Sequence, residues 1–177
     1  SSPAGDRRLM ARHRYDAALR WSDIDALGHV NNVAYLSLLQ EARVGLYAAR
    51  LGTIDWQETG AVVARHEIEY ATPLTFRAEP VPIDVWVTRV GTTSYTLAYE
   101  IRDDAAVYAR ASTVMVKWDL VAGRPKPLDD QERLVLESLR DELDSAVYLA
   151  SYGHGEIVIV EIVDSPKAPR IDLWVGI

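Results

Sequence analysis

The sequence predicts an α+β domain in which one long helix packs against an antiparallel sheet. Two observations lead to this prediction. An apolar stripe with helical spacing runs through residues 33–51, and several runs with strand-like alternation follow it, separated by turn residues. A helix with such a broad apolar face needs a large apolar cover, and a sheet of consecutive strands provides one.

The chain before this helix is predicted to form a strand and then a loop. Residues 1–11 are expected to be a flexible leader. From Arg12 to Trp21 the aromatic and apolar residues alternate as they do in strands: Tyr15, Ala17, Leu19 and Trp21. Residues 22–32 read Ser-Asp-Ile-Asp-Ala-Leu-Gly-His-Val-Asn-Asn, a composition typical of loops because these side chains hydrogen-bond to their own backbone.

The central helix is predicted over Val33 to Leu51. Asn31 or Asn32 is a suitable N-cap, and Gly52 stands where a left-handed stop is expected. The apolar stripe consists of Tyr35, Leu38, Leu39, Ala42, Leu46 and Ala49. Polar residues are expected on the opposite side: Ser37, Gln40, Glu41 and Arg43.

Four strands are predicted after the helix, because apolar and polar residues alternate there with a period of two. Turn signals separate them at Pro73, at residues 91–93 and at residues 103–104. The strand residues expected on the apolar face are, in order, Ala64, His66, Ile68 and Tyr70; Ile83, Val85 and Val87; Tyr95, Leu97, Tyr99 and Ile101; and a last run from Val107 to Trp118.

A second, amphipathic helix is predicted from Leu128 to Leu143, with an apolar stripe made of Leu134, Val135, Leu136, Leu139 and Leu143. The main domain is expected to span residues 12–137. Residues 138–177 are expected to be a C-terminal extension of unknown role, with β-prone runs at 156–163 and 170–177.

Composition narrows the functional classes. The formal net charge of −7 argues against nucleic-acid binding as the function, because phosphate recognition needs a concentrated basic face. The chain has no cysteine, which excludes disulfides and thiol nucleophiles. No apolar run approaches the roughly 20 residues of a membrane span, so a cytoplasmic protein without membrane partners is expected. The histidines lack metal-ligand spacing, and no Gly-x-Ser-x-Gly motif occurs.

Three segments together carry a resemblance to a known family. They are Arg20-Trp-Ser-Asp-Ile-Asp-Ala-Leu-Gly-His-Val-Asn-Asn-Val-Ala-Tyr-Leu36, Glu41-Ala-Arg43 and Tyr70-Ala-Thr-Pro-Leu74. The chain from residue 12 to residue 136 resembles hot-dog-fold thioesterases of the 4-hydroxybenzoyl-CoA thioesterase-like family. The resemblance implies a long central helix wrapped by a curved antiparallel sheet, and hydrolysis of an acyl-CoA thioester.

The resemblance also implies roles for individual residues. Asp25, the second aspartate of Asp-x-Asp, matches the catalytic carboxylate, which acts as nucleophile or as general base. A backbone N–H near Asn32, at the helix N-terminus, polarises the carbonyl, in keeping with the unpaired N–H groups of such a terminus. His29 and Asn31 could orient Asp25 or a water. No metal is expected, and no cofactor apart from the coenzyme A of the substrate.

Two alternative functions stay open. The same motif is common in acyl-carrier-protein thioesterases, which is the first alternative. The fold also hosts members with no known activity, so a non-catalytic protein that binds an acyl ligand is the second. The partner is therefore expected to be an acyl-CoA or an acyl-carrier-protein substrate. A homodimer or homotetramer is expected as well, because an open sheet has edges that a second copy would protect.

Other polar residues receive structural expectations. His66 alternates with apolar neighbours and is expected to pack in or under the sheet, and Glu41 to lie on the helix surface or in a subunit interface. Four cations are candidates for binding the phosphates of coenzyme A but are more simply expected to be solvated strand residues: Arg65, Arg89, Arg110 and Lys117.

Overall fold

A computed structural model describes residues 12–50, 60–144, 150–153 and 156–159. Its main body is an antiparallel six-stranded curved sheet that packs on a long helix, which confirms the predicted α+β class and hot-dog architecture. The strands are β1 (His13–Ala17), β2 (Ala61–Tyr70), β3 (Val81–Val90), β4 (Ser94–Arg102), β5 (Val107–Asp119) and β6 (Arg124–Pro125). The helices are α1 (Asn32–Arg50) and α2 (Asp130–Asp144).

The strand order is β1-β3-β4-β5-β2, with β6 paired to the end of β5. The central strands β3 and β4 form the floor of the core, and the alternation predicted for β4 is confirmed, because Tyr95, Leu97, Tyr99 and Ile101 are all at most 5 % exposed. The edge strand β2 is different. Its backbone is irregular between Val63 and Arg65, and most of its side chains are exposed or half-buried.

The first strand is shorter than predicted. It ends at Ala17, and Trp21 to Asp23 form a single turn of 3-10 helix instead of continuing the strand. The Asp23 carboxylate causes this turn: it accepts hydrogen bonds from the backbone N–H of Arg20 at 2.8 Å and from the Arg20 guanidinium at 3.0 Å. Trp21, predicted to be the last residue of the strand, lies in this turn and is 76 % exposed.

The central helix buries most of its predicted stripe, but two side chains depart from the prediction. Arg43, expected on the polar side, is only 7 % exposed. It lies four residues after Leu39, which is fully buried, so the helical period places it on the same face. Ala49, expected in the stripe, is exposed. The predicted end at Leu51 and Gly52 lies outside the described residues.

The second helix starts with a reciprocal cap and packs on the sheet through part of its predicted stripe. Asp129 Oδ1 accepts from Glu132 N at 2.8 Å, and Glu132 Oε2 accepts from Asp129 N at 3.0 Å. Leu136 and Leu139 are buried, whereas Leu134 is 68 % exposed, so that part of the predicted stripe was wrong. The domain boundary expected after residue 137 falls inside this helix.

Lys117 on β5 corrects a further expectation. It was expected to be solvated, but it is 5 % exposed, because α2 covers it and its ammonium group forms an ion pair with Glu132. The exposed Arg65 and Arg110 fit the expectation and form surface ion pairs with Glu67 and Glu100.

The far end of β5 folds back through a tight turn onto β6. Asp119 Oδ1 accepts hydrogen bonds from the N–H groups of Val121 and Ala122 at 3.0 and 2.8 Å, and Gly123 adopts φ +64°. Val121 is completely exposed.

Part of the C-terminal segment is also described. Ala150–Gly153 and Glu156–Ile159 form β7 and β8, a separate two-stranded sheet. The run predicted at 156–163 is thus described only to Ile159, and the run at 170–177 lies outside the described residues. Among the described helices, none is both long and apolar enough to cross a membrane.

Candidate active site

Asp25 closes a short loop by binding the backbone of the residues that follow it. Its Oδ1 accepts hydrogen bonds from Leu27 N at 2.8 Å and from His29 N at 3.3 Å. The backbone closes the same loop, because Asp25 N donates to His29 O at 2.9 Å and Gly28 N donates to Asp25 O at 3.1 Å. Gly28 adopts φ +78°, a conformation that favours glycine. Within the described residues, both hydrogen bonds of the carboxylate use Oδ1, so Oδ2 is available to a substrate or a water.

The loop of residues 25–29 is fixed to the turn that follows β2. Val30 N donates to Leu74 O at 2.7 Å, and His29 forms an isolated β-bridge with Thr75. Leu74 is 1 % exposed, so this turn is anchored in the core. The carboxylate of Asp25 is thereby positioned by two segments that are distant in sequence.

The N-terminus of α1 lies beside this loop and offers an open donor. Asn31 is the N-cap: its Oδ1 accepts from Val33 N at 2.9 Å. Ala34 N is satisfied by Asn31 O at 2.9 Å. Within the described part of the chain, the N–H of Asn32 has no acceptor. The first turn of α1 contains no acidic residue, so no carboxylate there neutralises the positive end of the helix dipole.

A cleft of about 290 Å³ brings the Asp25 loop, the helix N-terminus and the turn after β2 together. It is lined by Asp25, His29, Val30, Asn32, Tyr35, Tyr70, Ala71, Thr72, Pro73 and Leu74. Three of the four predicted site residues therefore lie in one cleft: Asp25, His29 and Asn32. Asn31 lies next to it and caps the helix rather than lining the cleft.

Two tyrosines that were not predicted as site residues form one wall of the cleft. Tyr70 donates from its hydroxyl to the Asn32 carbonyl at 3.2 Å, which ties the end of β2 to the start of α1. Its ring packs edge-on against Tyr35 with centroids 5.1 Å apart. Burial raises the pKa of the Tyr35 phenol, with a further contribution from Tyr70, so Tyr35 stays neutral. The Tyr-x-x-Pro-Leu segment at 70–74 was the available sequence signal for this wall.

Asp23 is a structural partner of this site. It is 6 % exposed, and its carbonyl accepts from Asn31 N at 2.7 Å, which joins the 3-10 turn to the helix cap. Burial acts to raise the pKa of Asp23, but the hydrogen bonds and charge of Arg20 outweigh it, so the pKa is lowered from its usual value. Asp23 therefore stays ionised, and it holds the turn that precedes Asp25.

No arginine or lysine is among the residues that line the cleft. Among the described residues, no group of three or more His, Cys, Asp or Glu side chains is arranged to hold a metal ion. The reactive groups that the cleft presents are thus a carboxylate, a helix N-terminal amide, an imidazole and phenols.

Comparisons with known proteins agree with this arrangement. The model of the thioesterase-like superfamily matches residues 19–141. No protein among those with curated functions matches the chain significantly. A thioesterase from Thermus thermophilus, solved with coenzyme A and zinc, is 31 % identical with a TM-score of 0.64, and the match covers 74 % of this chain and 95 % of that protein.

Two further solved structures are similar. A predicted thioesterase from Bacillus stearothermophilus has a TM-score of 0.66 at 24 % identity, over 72 % of this chain and 95 % of that one. A proposed acyl-CoA thioesterase from Xanthomonas campestris is 30 % identical with a TM-score of 0.58, over 65 % of this chain and 97 % of that one. The family match covers the loop, the helix and the sheet that build the cleft, and the chain therefore belongs to the thioesterase-like superfamily.

Proposed function

We propose that this thioester hydrolase acts on an acyl-CoA thioester and releases the free acid and coenzyme A, with Asp25 as its catalytic carboxylate. The observation that carries the proposal is the shared cleft, where the Asp25 carboxylate and the unpaired N–H of Asn32 both line the same space. A carboxylate and an oxyanion donor are the two groups that acyl transfer from a thioester needs.

In the proposed reaction the thioester carbonyl oxygen accepts a hydrogen bond from Asn32 N–H. As the carbonyl carbon is attacked, negative charge develops on this oxygen, and a preorganised donor of this kind contributes about 3 kcal/mol to the transition state. The open Oδ2 of Asp25 either attacks the carbon or takes a proton from an attacking water. The thiolate is a good leaving group, so the step needs no strong acid and no cofactor beyond the substrate's own coenzyme A.

A nucleophilic role of Asp25 can be recognised by where oxygen from solvent appears. We would run a single turnover in ¹⁸O-labelled water with enzyme in excess and then analyse the Asp25 peptide by mass spectrometry. Label in the peptide identifies a nucleophilic carboxylate whose anhydride water opened at the Asp25 carbon. A general base leaves the peptide unlabelled, as does an anhydride that water opens at the acyl carbon.

The main test is thiol release from short, long and aromatic acyl-CoA esters by the native protein and by Asp25→Asn. Asparagine retains an oxygen that accepts from Leu27 N and His29 N, so the loop should persist while the catalytic charge is lost. We expect kcat/KM to fall by about two orders of magnitude or more. The matched control is Asp104→Asn on an exposed turn, which should match the native protein. Equal rates in Asp25→Asn and the native protein would remove Asp25 from the mechanism.

The alternatives are resolved by the same panel with one added substrate. A strong preference for the acyl group on a carrier protein over the same group on coenzyme A would identify a carrier-protein thioesterase. Tight binding of acyl-CoA without turnover, unaffected by Asp25→Asn, would identify an acyl-binding protein instead.

We also propose that the active protein is a homodimer or a homotetramer. Among the strands that the structure describes, β2 pairs only with β5, so its other edge offers backbone groups that a partner strand could pair with. Apolar side chains accompany this edge: Val62 and Val63 are 37 % and 40 % exposed, and Tyr70, which lines the cleft, is 50 % exposed. A second copy on this edge would cover them and complete a wall of the cleft.

A further inference from the structure

Among the described residues, Arg43 is a buried cation without a counter-ion. It lies in the middle of α1, is 7 % exposed, and its side chain forms one hydrogen bond within the described part of the chain, from Nη1 to the Tyr99 hydroxyl at 3.5 Å. Within the described residues no carboxylate lies within ion-pair distance of it. A guanidinium has five N–H donors, and leaving a buried charge with one long hydrogen bond is costly. The remaining donors of Arg43 are therefore available to an acceptor from outside the chain.

The surroundings of this guanidinium are polar on the sheet side. Tyr99 on β4 pairs across the sheet with Ala111 on β5, which in turn pairs with Ile68 on β2. In the next row His66 lies opposite Thr113, and its Nδ1 contacts the Thr113 hydroxyl at 2.9 Å. Burial and then the charge of Arg43 lower the pKa of His66, so the imidazole is neutral and adds no second positive charge.

This polar group lies along the same sheet face as the cleft. Tyr70, in the cleft wall, is followed on that face of β2 by Ile68 and His66 at two-residue steps. At about 3.4 Å per residue, the rows of Ile68 and His66 lie roughly 7 and 14 Å from Tyr70. Both side chains are only half-buried, so this part of the sheet face between Tyr70 and His66 is not fully covered.

The length of α1 gives a similar distance between the cleft and Arg43. Arg43 follows Asn32 by eleven residues, or about 16 Å along the axis, and its long side chain leans back towards the helix N-terminus. The guanidinium therefore lies on the order of 10 Å from the Asn32 amide that would hold the thioester carbonyl. With bonds of about 1.5 Å, roughly six to ten chain atoms span this distance.

We infer that Arg43, assisted by Tyr99 and His66, binds the far end of the acyl group, and that the substrates are thioesters of medium-length acyl chains that end in a carboxylate. This inference rests on the proposed thioesterase function. A carboxylate neutralises the buried guanidinium and can accept two of its parallel N–H groups, whereas a methyl terminus leaves that charge buried and unpaired. The protein then recognises both ends of the acyl chain, the thioester in the cleft and the carboxylate at Arg43.

The test compares coenzyme A esters matched in length: straight-chain acyl groups of 4, 8 and 12 carbons and the ω-carboxyacyl groups of the same lengths. We expect the 8-carbon ω-carboxyacyl ester to exceed its methyl-ended counterpart by about tenfold or more in kcat/KM. In Arg43→Met this preference should disappear or reverse, and in Arg43→Lys it should be partly retained. The matched control is Arg14→Met, an exposed arginine on β1, which should keep the native ranking.

Each outcome separates the inference from the proposed function. Hydrolysis of the 8-carbon pair at equal kcat/KM would overturn the inference and leave the thioesterase proposal standing, whereas no release from any ester would contradict the proposed function. If Arg43→Met does not fold, two other measurements test the inference. The native protein should prefer the 8-carbon ω-carboxyacyl ester, and the His66→Leu variant, changed at a half-buried residue, should show a smaller preference for it. A native ranking that survives Arg43→Met, accompanied by loss of the oligomer, would assign Arg43 to a subunit contact and overturn the inference.

Discussion

At the scale of single residues, the two aspartates of one short motif lie in different environments. Asp23 is buried, ion-paired with Arg20 and bonded to the backbone that precedes it. Asp25 is partly exposed, bonds through one oxygen only and lines the cleft. The sequence distinguishes them only by resemblance, because alternation and composition treat Asp-x-Asp as an ordinary polar loop.

Because their environments differ, replacing each aspartate by asparagine should affect different properties: stability for Asp23 and activity for Asp25. We expect Asp23→Asn to lower the free energy of unfolding by about 1–2 kcal/mol, since it leaves Arg20 with a weaker acceptor. Asp25→Asn should change stability little and abolish most activity. Urea unfolding measures the stability of both variants, and thiol release measures their activity. Comparable stability losses in both would show that Asp25 is also mainly structural.

At the same scale, His66 predicts a pH dependence of stability. Burial and Arg43 lower its pKa below the ordinary value of 6.5, so the unfolded chain binds a proton at a higher pH than the folded chain. The free energy of unfolding should therefore fall as the pH drops below about 6.5 and level off below the folded pKa. His13, whose pKa is lowered by burial and by Arg50, acts in the same direction.

The check is denaturant unfolding at a series of pH values between 4.5 and 8, a window chosen around the ordinary histidine pKa of about 6.5. The loss of unfolding free energy at low pH should be smaller in His66→Gln than in the native protein. It should be smallest in the double variant that also carries His13→Gln. If the free energy of unfolding depends on pH in the same way in both variants as in the native protein, the acid sensitivity belongs to aspartate and glutamate side chains instead.

At the scale of elements, most strands and both helices could be predicted, since their hydrophobic periods are regular and their neighbours consecutive. What could not be predicted depends on which element covers which residue. Lys117 is in the same two-residue phase of β5 as the buried Thr113 and Met115, and only its charge suggested a solvated position. Its burial depends on α2, whose Glu132 supplies the counter-ion. Arg43 shares the period of Leu39, yet its charge suggested the polar side. The same limit applies to Tyr70, whose place in the cleft depends on the end of β2 meeting the start of α1.

The Lys117–Glu132 pair predicts how α2 is held on the sheet. Lys117→Met leaves the Glu132 carboxylate, 17 % exposed, without its cation and should cost about 1–3 kcal/mol. Adding Glu132→Gln removes the unpaired charge while leaving an oxygen for the Asp129 cap, so the double variant should recover part of the loss. Thermal unfolding of the native protein, the two single variants and the double variant measures the coupling energy between Lys117 and Glu132. Stability losses that simply add would contradict this coupling.

At the scale of the whole molecule, the open edge of β2 predicts self-association. Light scattering should give at least twice the 19.8 kDa chain mass. Replacing Val62 and Val63 by lysine should weaken the oligomer and reduce thiol release together, because charge on a sheet edge opposes pairing. The matched control is Val121→Lys at the exposed turn after β5. A native protein that is monomeric and fully active would contradict the proposed oligomer.

The antiparallel register of β5 also determines where the molecule can be modified without harm. Ala109 pairs with Tyr70 beside the cleft, and Asp119 lies ten residues further along, about 34 Å away at 3.4 Å per residue. The turn at residues 119–123 is closed by its own aspartate and its tip is solvated. A fluorescent dye, an affinity handle or a surface linker placed at Val121 would therefore stand a full strand length from the chemistry, and an immobilised enzyme would present its cleft to the solution.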